Sequence, residues 1–121
     1  MINKMEDSYY YYGLGLESYK SGNIQEALIS FLMSVTLSPH FKTYEQLHYV
    51  LGNLGYKEES EFMIQKAYEL NSSNDKVSLL YAKCLIERGC KVKAKEILIN
   101  LLDRNKTYLP ARKILEELNK Q

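Results

Sequence analysis

The sequence predicts an all-α chain of three helix–turn–helix hairpins and one further helix, about seven helices in all. Three observations predict it. Glycines recur at Gly22, Gly55 and Gly89, 33 and 34 residues apart, and each closes a stretch of helical apolar periodicity. Five residues after each glycine stands a small residue (Ala27, Ser60, Ala94), and four further on a large apolar one (Phe31, Ile64, Leu98). Eight residues before each glycine are Leu14, Leu47 and Tyr81; eleven before are Tyr11, Tyr44 and, in the third case, Ser78. A spacing held by several residue types at once is what a repeated packing unit requires.

The first hairpin shows the physical reading. Tyr11, Leu14, Gly15 and Ser18 follow one another at i, i+3, i+4 and i+7, the spacing of one helical stripe. Gly22-Asn23 breaks that helix, because glycine enters the left-handed region at little cost. A second stripe follows in Ala27, Phe31 and Ser34. Small residues let the two helices approach, and the large ones fill the space beside the contact. Leu37-Ser38-Pro39 ends the pair, since proline restricts the residue before it and cannot continue the helical ladder.

Tyr11-x-x-Leu14-Gly15, Ala27-x-x-x-Phe31 and Pro39 together resemble the tetratricopeptide repeat, with tyrosine in the place of its tryptophan. The resemblance implies a right-handed α-solenoid, with repeats over about 8–40, 41–74 and 75–108 and a single domain over 1–121. The last segment, about 109–120, reads as a capping helix: Pro110 suits its first turn, and Ala111, Ile114, Leu115 and Leu118 form an apolar stripe. Four positions depart from the pattern. His48 stands where a small residue is wanted, Ser78 replaces the aromatic, Ser72 stands where Pro39 suggests proline, and Leu101 is large where Ser34 and Ala67 are small. Poorer local packing is expected there, above all between the first two repeats.

Composition narrows the function. The chain has 121 residues, 45% hydrophobic and 26% charged, in the range of a folded domain. Sixteen Lys and Arg against fifteen Asp and Glu leave a net charge of +1, so neither nucleic acid nor a membrane surface is an expected partner. Met1 to Ser8 lack the apolar h-region of a secretory signal, and no apolar run is long enough to span a bilayer. The expected compartment is the cytoplasm, with Cys84 and Cys90 as thiols. No phosphate loop, nucleophile elbow or metal-spaced triad is present, and Gly13-Leu14-Gly15 lacks the third glycine of a dinucleotide fingerprint. His40 and His48 have no third ligand, and His48 reads as a hydrogen-bonded packing residue. The expectation is a chain that is not an enzyme and takes no cofactor and no metal.

The resemblance further implies a concave groove lined by the first helix of each repeat. The first repeat offers Tyr9, Tyr12, Leu16, Tyr19 and Lys20. The second offers Lys42, Glu45, Tyr49 and Asn53; the third, Lys76, Leu79, Lys83 and Ile86. Apolar anchors with phenol hydroxyls at the rim suit an extended peptide carrying bulky apolar side chains. Four first helices side by side would hold on the order of seven to nine extended residues. Tyr12 and Tyr49 are the expected contact tyrosines, replaceable without loss of stability. Relatives that clamp the terminal carboxylate of heat-shock chaperones need Lys, Asn and Arg at set positions. Here Tyr12, Leu16, Gln46, Lys76 and Leu80 occupy them, so a carboxylate clamp is not expected.

Tyr9 to Tyr12 surround the first helix almost completely, because consecutive helical residues point about 100° apart. Tyr11 has a core position, and a single neighbouring hairpin cannot bury the rest. The principal expectation is therefore an interaction module binding a partner segment in the tyrosine-lined groove. Two alternatives stand beside it: a self-associating scaffold, homodimeric through the N-terminal helix, and a small secretion-type chaperone for a client segment.

Overall fold

The computed structural model describes residues 3–121. Seven helices and no strand occur among them: α1 (Lys4–Lys20), α2 (Ile24–Leu37), α3 (Phe41–Asn53), α4 (Lys57–Leu70), α5 (Asp75–Glu87), α6 (Lys91–Arg104) and α7 (Leu109–Asn119). They pair in sequence as α1 with α2, α3 with α4, and α5 with α6, and α7 packs on α6. The chain forms two compact units, one ending at Leu70 with α1–α4 and one beginning at Asn71 with α5–α7. The first helix begins earlier than its periodicity predicts, because Asn3 caps it: the Asn3 Oδ1 accepts from the Glu6 amide at 3.2 Å.

The three hairpin turns are built alike. Gly22, Gly55 and Gly89 take φ of 84°, 86° and 84°, where a side chain would be strained. The residue after each glycine donates its amide back into the preceding helix: Asn23 to the Ser18 carbonyl at 2.8 Å, Tyr56 to Leu51 at 2.9 Å, Cys90 to Leu85 at 2.8 Å. These bonds satisfy carbonyls that a helix end leaves without partners and set the exit direction of the chain.

In the first unit Ala27, Phe31, Leu47 and Val50 form a fully buried cluster with Tyr12, Tyr19, Leu28, Val35, Tyr44 and Met63 packed around it, and Ile64 and Ala67 of α4 are fully buried as well. The first hairpin is also joined by two serines. Ser8 Oγ donates to the Ser34 carbonyl at 2.8 Å, and Ser34 Oγ donates to the Ser8 carbonyl at 2.7 Å. Both side chains are buried, so each hydroxyl meets an acceptor that water cannot serve. In the second unit the core comprises Val77, Tyr81, Ala82 and Leu85 of α5, Ala94, Ile97, Leu98 and Leu101 of α6, and Ala111 and Leu118 of α7.

The four departures from the repeat pattern are accommodated. His48 Nδ1 lies 2.9 Å from both Ser60 Oγ and the Ser60 carbonyl, while Ser60 Oγ donates to the His48 carbonyl at 2.6 Å. Since that hydroxyl proton is committed, Nδ1 carries a hydrogen and donates to Ser60. The packing conflict expected at His48 is thus replaced by a hydrogen-bonded tie between α3 and α4. Ser78 on α5 and Leu101 on α6 are both buried, so each departure is taken into the interior of the third hairpin. Ser78 Oγ donates to the Ser72 carbonyl at 3.0 Å, so Ser72 serves its turn through its backbone. Beside them Arg104 reaches Asp75 Oδ1 at 3.4 Å, and Asn105 donates to Asp75 Oδ2 at 3.0 Å.

Candidate functional site

The residues expected to line a groove fall in both units. In the first, Tyr9, Tyr12, Leu16, Tyr19 and Lys20 recur on one side of α1, and Lys42, Glu45, Tyr49 and Asn53 on one side of α3. The two stripes meet through their side chains. Asn53 Nδ2 donates to the Tyr19 hydroxyl, which ties the end of α3 to the end of α1. Tyr49 donates its phenol hydrogen to Glu45 Oε2 at 2.7 Å, one turn back on its own helix.

Burial distinguishes the tyrosines. Tyr9 is 77% exposed and Tyr10 61%, so neither contributes to the core. Tyr12 packs inward against Phe31, with ring centroids 5.9 Å apart, and belongs to the shell around the core. Tyr11 is only partly buried; its ring meets Tyr10 edge-on at 5.4 Å. It lines a depression of about 410 Å³ with Asp7, Leu32, Met33, Thr36 and Leu37. The roles expected of Tyr11 and Tyr12 are therefore exchanged in part. Tyr12 carries packing as well as surface, and its replacement by alanine is not neutral to stability.

The electrostatics centre on Glu45. Burial raises the Tyr12 phenol above its ordinary pKa, and the Glu45 charge and Tyr9 raise it further. Tyr49 is raised strongly, first by burial, then by its hydrogen bond to Glu45 and by the Glu45 charge, with Tyr19 adding to it. Both phenols are accordingly neutral at physiological pH, and Tyr49 donates to the partly buried Glu45 carboxylate.

A cavity of about 400 Å³ opens at the Lys42 end of this face, lined by Met5, Ser8, Tyr9, Tyr12, Ser34, Ser38, His40, Lys42 and Thr43. Sequence reasoning named Tyr9, Tyr12 and Lys42 but missed Met5, His40 and Thr43. His40 is placed by a local rule: it precedes α3 and caps it, its Nδ1 accepting from the Lys42 amide at 3.1 Å. Its ring stacks on Phe41 at 4.9 Å. The capping position was readable from the Pro39 break, but a cavity wall was not.

In the second unit, Lys76 and Lys83 are exposed on α5 and Ile86 is partly buried. Leu79 does not present the apolar surface expected of it: it is 7% exposed. Helix α5 buries Val77, Ser78, Leu79, Tyr81, Ala82 and Leu85, so little of its circumference is left to water, and an aliphatic residue joins the interior. Cys84 is partly buried and Cys90 exposed, and neither is in a disulfide. Among the described residues no group of His, Cys, Asp or Glu could hold a metal ion, and no helix is long and apolar enough to cross a membrane.

No family model matches the chain, and no curated protein matches it in sequence. Solved structures do match in shape. The Arabidopsis OM64 TPR domain superposes with a TM-score of 0.79 at 18% identity, over 98% of this chain and 99% of that one. The first TPR of Spaghetti (RPAP3), bound to the HSP90 peptide SRMEEVD, gives 0.79 at 15% identity, over 96% and 93%. The Yersinia enterocolitica type III secretion chaperone SycD, in complex with a peptide of the translocator YopD, gives 0.75 at 15% identity, over 91% and 90%. With the glycine-closed hairpins, the buried small and large residues that recur on the second helix of each, and the final helix α7, these likenesses establish that the chain has the tetratricopeptide-repeat fold, in three repeats and a closing helix.

Proposed function

We propose that this protein is an interaction module whose α1–α3 face holds an extended segment of a partner protein, a binding role and not a catalytic one. The observation that carries the reading is the tyrosine-bearing strip on which Tyr49 donates to the Glu45 carboxylate on α3, and Tyr9, Tyr12 and Lys42 line an open cavity. Such a surface offers apolar area with polar edges, which suits a peptide better than a rigid partner surface. Two proteins of the same fold, RPAP3 and SycD, were solved with peptides bound. The carboxylate clamp of the first kind is not supported here, because Tyr12 and Leu16 stand where cationic or amide groups would be needed. A client-holding role of the SycD kind remains compatible with an aromatic strip.

The test uses exposed residues, because Tyr12 also packs against Phe31. Tyr9→Ala with Lys42→Glu alters two exposed side chains of the cavity wall. In a pull-down from the native cell this variant should melt like the wild type yet lose the wild-type prey. Undiminished capture would remove the α1–α3 face from the interaction.

A second reading has its own observation. Tyr10 is 61% exposed, and Tyr11 shares its depression with Leu32, Met33 and Leu37. A second copy seated there would make the chain a dimer, and SycD is known in a form described as an alternative dimer. Light scattering over a range of concentrations distinguishes the two: a firm dimer dissociated by Tyr10→Glu would favour self-association.

A further inference from the structure

Helix α2 is apolar on the side it turns to water as well as on the side it buries. Ile29, Leu32, Met33, Thr36 and Leu37 follow one another at i, i+3, i+4, i+7 and i+8, and the first three are exposed. No Lys, Arg, Asp or Glu occurs from Ala27 to Pro39. The other two repeats show the same face with polar side chains on it. In α4 the positions matching Ile29, Leu32, Met33 and Thr36 hold Phe62, Gln65, Lys66 and Glu69. There Gln65 donates to Glu69 at 3.2 Å, and Lys66 pairs with Glu69 at 3.7 Å. In α6 the matching residues are Glu96, Ile99, Asn100 and Asp103. Each of those faces keeps one large apolar residue among polar ones, whereas α2 has three and a threonine. A helix that is apolar all round is ordinarily covered.

We infer that the outer face of α2, with the adjoining side of α1, is a two-fold contact between copies of this chain. This rests on the self-association reading above and gives it a face and a pairing. On α1, Asp7, Tyr10, Tyr11 and Leu14 share one stripe. The depression between that stripe and α2 is lined by Asp7, Tyr11, Leu32, Met33, Thr36 and Leu37. Tyr10 stands beside it, exposed, with its ring edge-on to Tyr11. A two-fold contact requires one patch to carry both knob and hole, and Tyr10 with the depression supplies the two. Charge agrees with this pairing. Asp7 is the one charged residue lining the depression, and Tyr10 of a second copy brings a hydroxyl that donates to a carboxylate. Area agrees as well. Tyr10, Ile29, Leu32 and Met33 leave about 400 Å² in water, and a standard interface takes about 800 Å² from each partner, over half of it apolar. Tyr9, Tyr12 and Leu16 belong to the other side of α1, so the contact leaves the α1–α3 face of each copy open.

The experiment follows the mass of the full chain by sedimentation between about 5 and 200 μM, the weak end of the range for interfaces of this size. Wild type should reach twice the 14.1 kDa of one chain. Leu32→Gln with Met33→Lys gives α2 the side chains that α4 carries as Gln65 and Lys66, so the helix tolerates them. This double variant should keep the wild-type helical circular dichroism and stay monomeric, a loss of affinity of at least about a hundredfold. Should it lose its helical signal, Ile29→Glu takes its place, after Glu96 at the matching position of α6. Tyr10→Phe keeps the ring and removes the donor, and should raise the dimer Kd about tenfold. An unchanged Kd in Tyr10→Phe overturns the pairing with Asp7. A dimer that persists in the α2 variant overturns the assignment to this face and leaves self-association standing. A wild type that stays at the mass of one chain overturns both. Sedimentation with phosphatidylcholine vesicles would then make a bilayer the cover of α2, and its failure would leave the face to a different protein. The α1–α3 face is tested separately, so its reading stands or falls on its own.

Discussion

Gly15 lies against the edge of the Phe31 ring so closely that a Cβ at Gly15 would fall 2.5 Å from Phe31 Cε1 and 2.6 Å from Cδ1. Alanine is the better helix former by about 1 kcal/mol, but overpacking a core costs about 1–3 kcal/mol. The clash should prevail, since Phe31 is fully buried and has no room to turn away. Gly15→Ala is therefore expected to lower the urea midpoint, and Phe31→Leu in the same chain to restore part of it. Gly13→Ala is the control, because nothing lies within 4 Å of its added methyl. An unchanged or raised midpoint for Gly15→Ala would show that the ring moves freely.

His48 and Ser60 should behave as a coupled pair. Their three contacts of 2.6–2.9 Å lie in the interior of the α3–α4 hairpin, and Ser60 is buried. Replacing either by alanine is expected to cost about 1–2 kcal/mol, with a coupling of about 1 kcal/mol in a double-mutant cycle. Additive losses would mean that the two residues act separately.

Alkaline pH should weaken the fold through Tyr12 and Tyr49. Both phenols are raised above their ordinary pKa of 10.0. Above pH 10 the unfolded chain loses these protons before the folded one does. The folded state then holds more protons, so stability falls as pH rises from 10 towards the folded values, and below 10 the effect is absent. Tyr49→Phe should flatten this alkaline slope in denaturant titrations. Glu45→Gln should lower the pH at which Tyr12 and Tyr49 ionise, read from phenolate absorbance, while burial keeps both phenols raised. An identical slope in wild type and Tyr49→Phe would contradict the assignment.

The closing helix should matter to the second unit. Ala111 and Leu118 of α7 are buried, and α7 packs on α6. Leu118→Ala is expected to cost about 2–4 kcal/mol, and a chain ending at Thr107 at least as much, read as a fall in Tm. A melting curve indifferent to the loss of α7 would remove its capping role.

What the sequence could and could not disclose follows from the range of each interaction. The helices and turns were legible because their determinants are local: Gly22, Gly55 and Gly89 bond within five residues, and Pro39 and Pro110 act on their immediate neighbours. The site was legible only as a strip. Helical periodicity puts Tyr12 on one stripe of α1, and Glu45 and Tyr49 on one stripe of α3, but it cannot tell which tyrosine leans inward. Tyr12 meets Phe31, nineteen residues away, whereas Tyr11, the position that matches the repeat pattern, stays half in water. Leu79 was misplaced for a similar reason: its depth depends on how completely α5 is covered, which no spacing encodes. His48 looked like a defect because its compensation, Ser60, belongs to the next helix and reads alone as an ordinary small residue.

The identical turns have a consequence for biosynthesis. Each reversal of the chain is secured by bonds to the helix just completed, and the serine exchange in the first hairpin spans only 26 residues. A nascent polypeptide leaving the ribosome therefore has, as soon as Leu37 emerges, every group needed to close that hairpin. Short sequence separations of this kind favour rapid folding, so synthesis and folding can advance together along the chain.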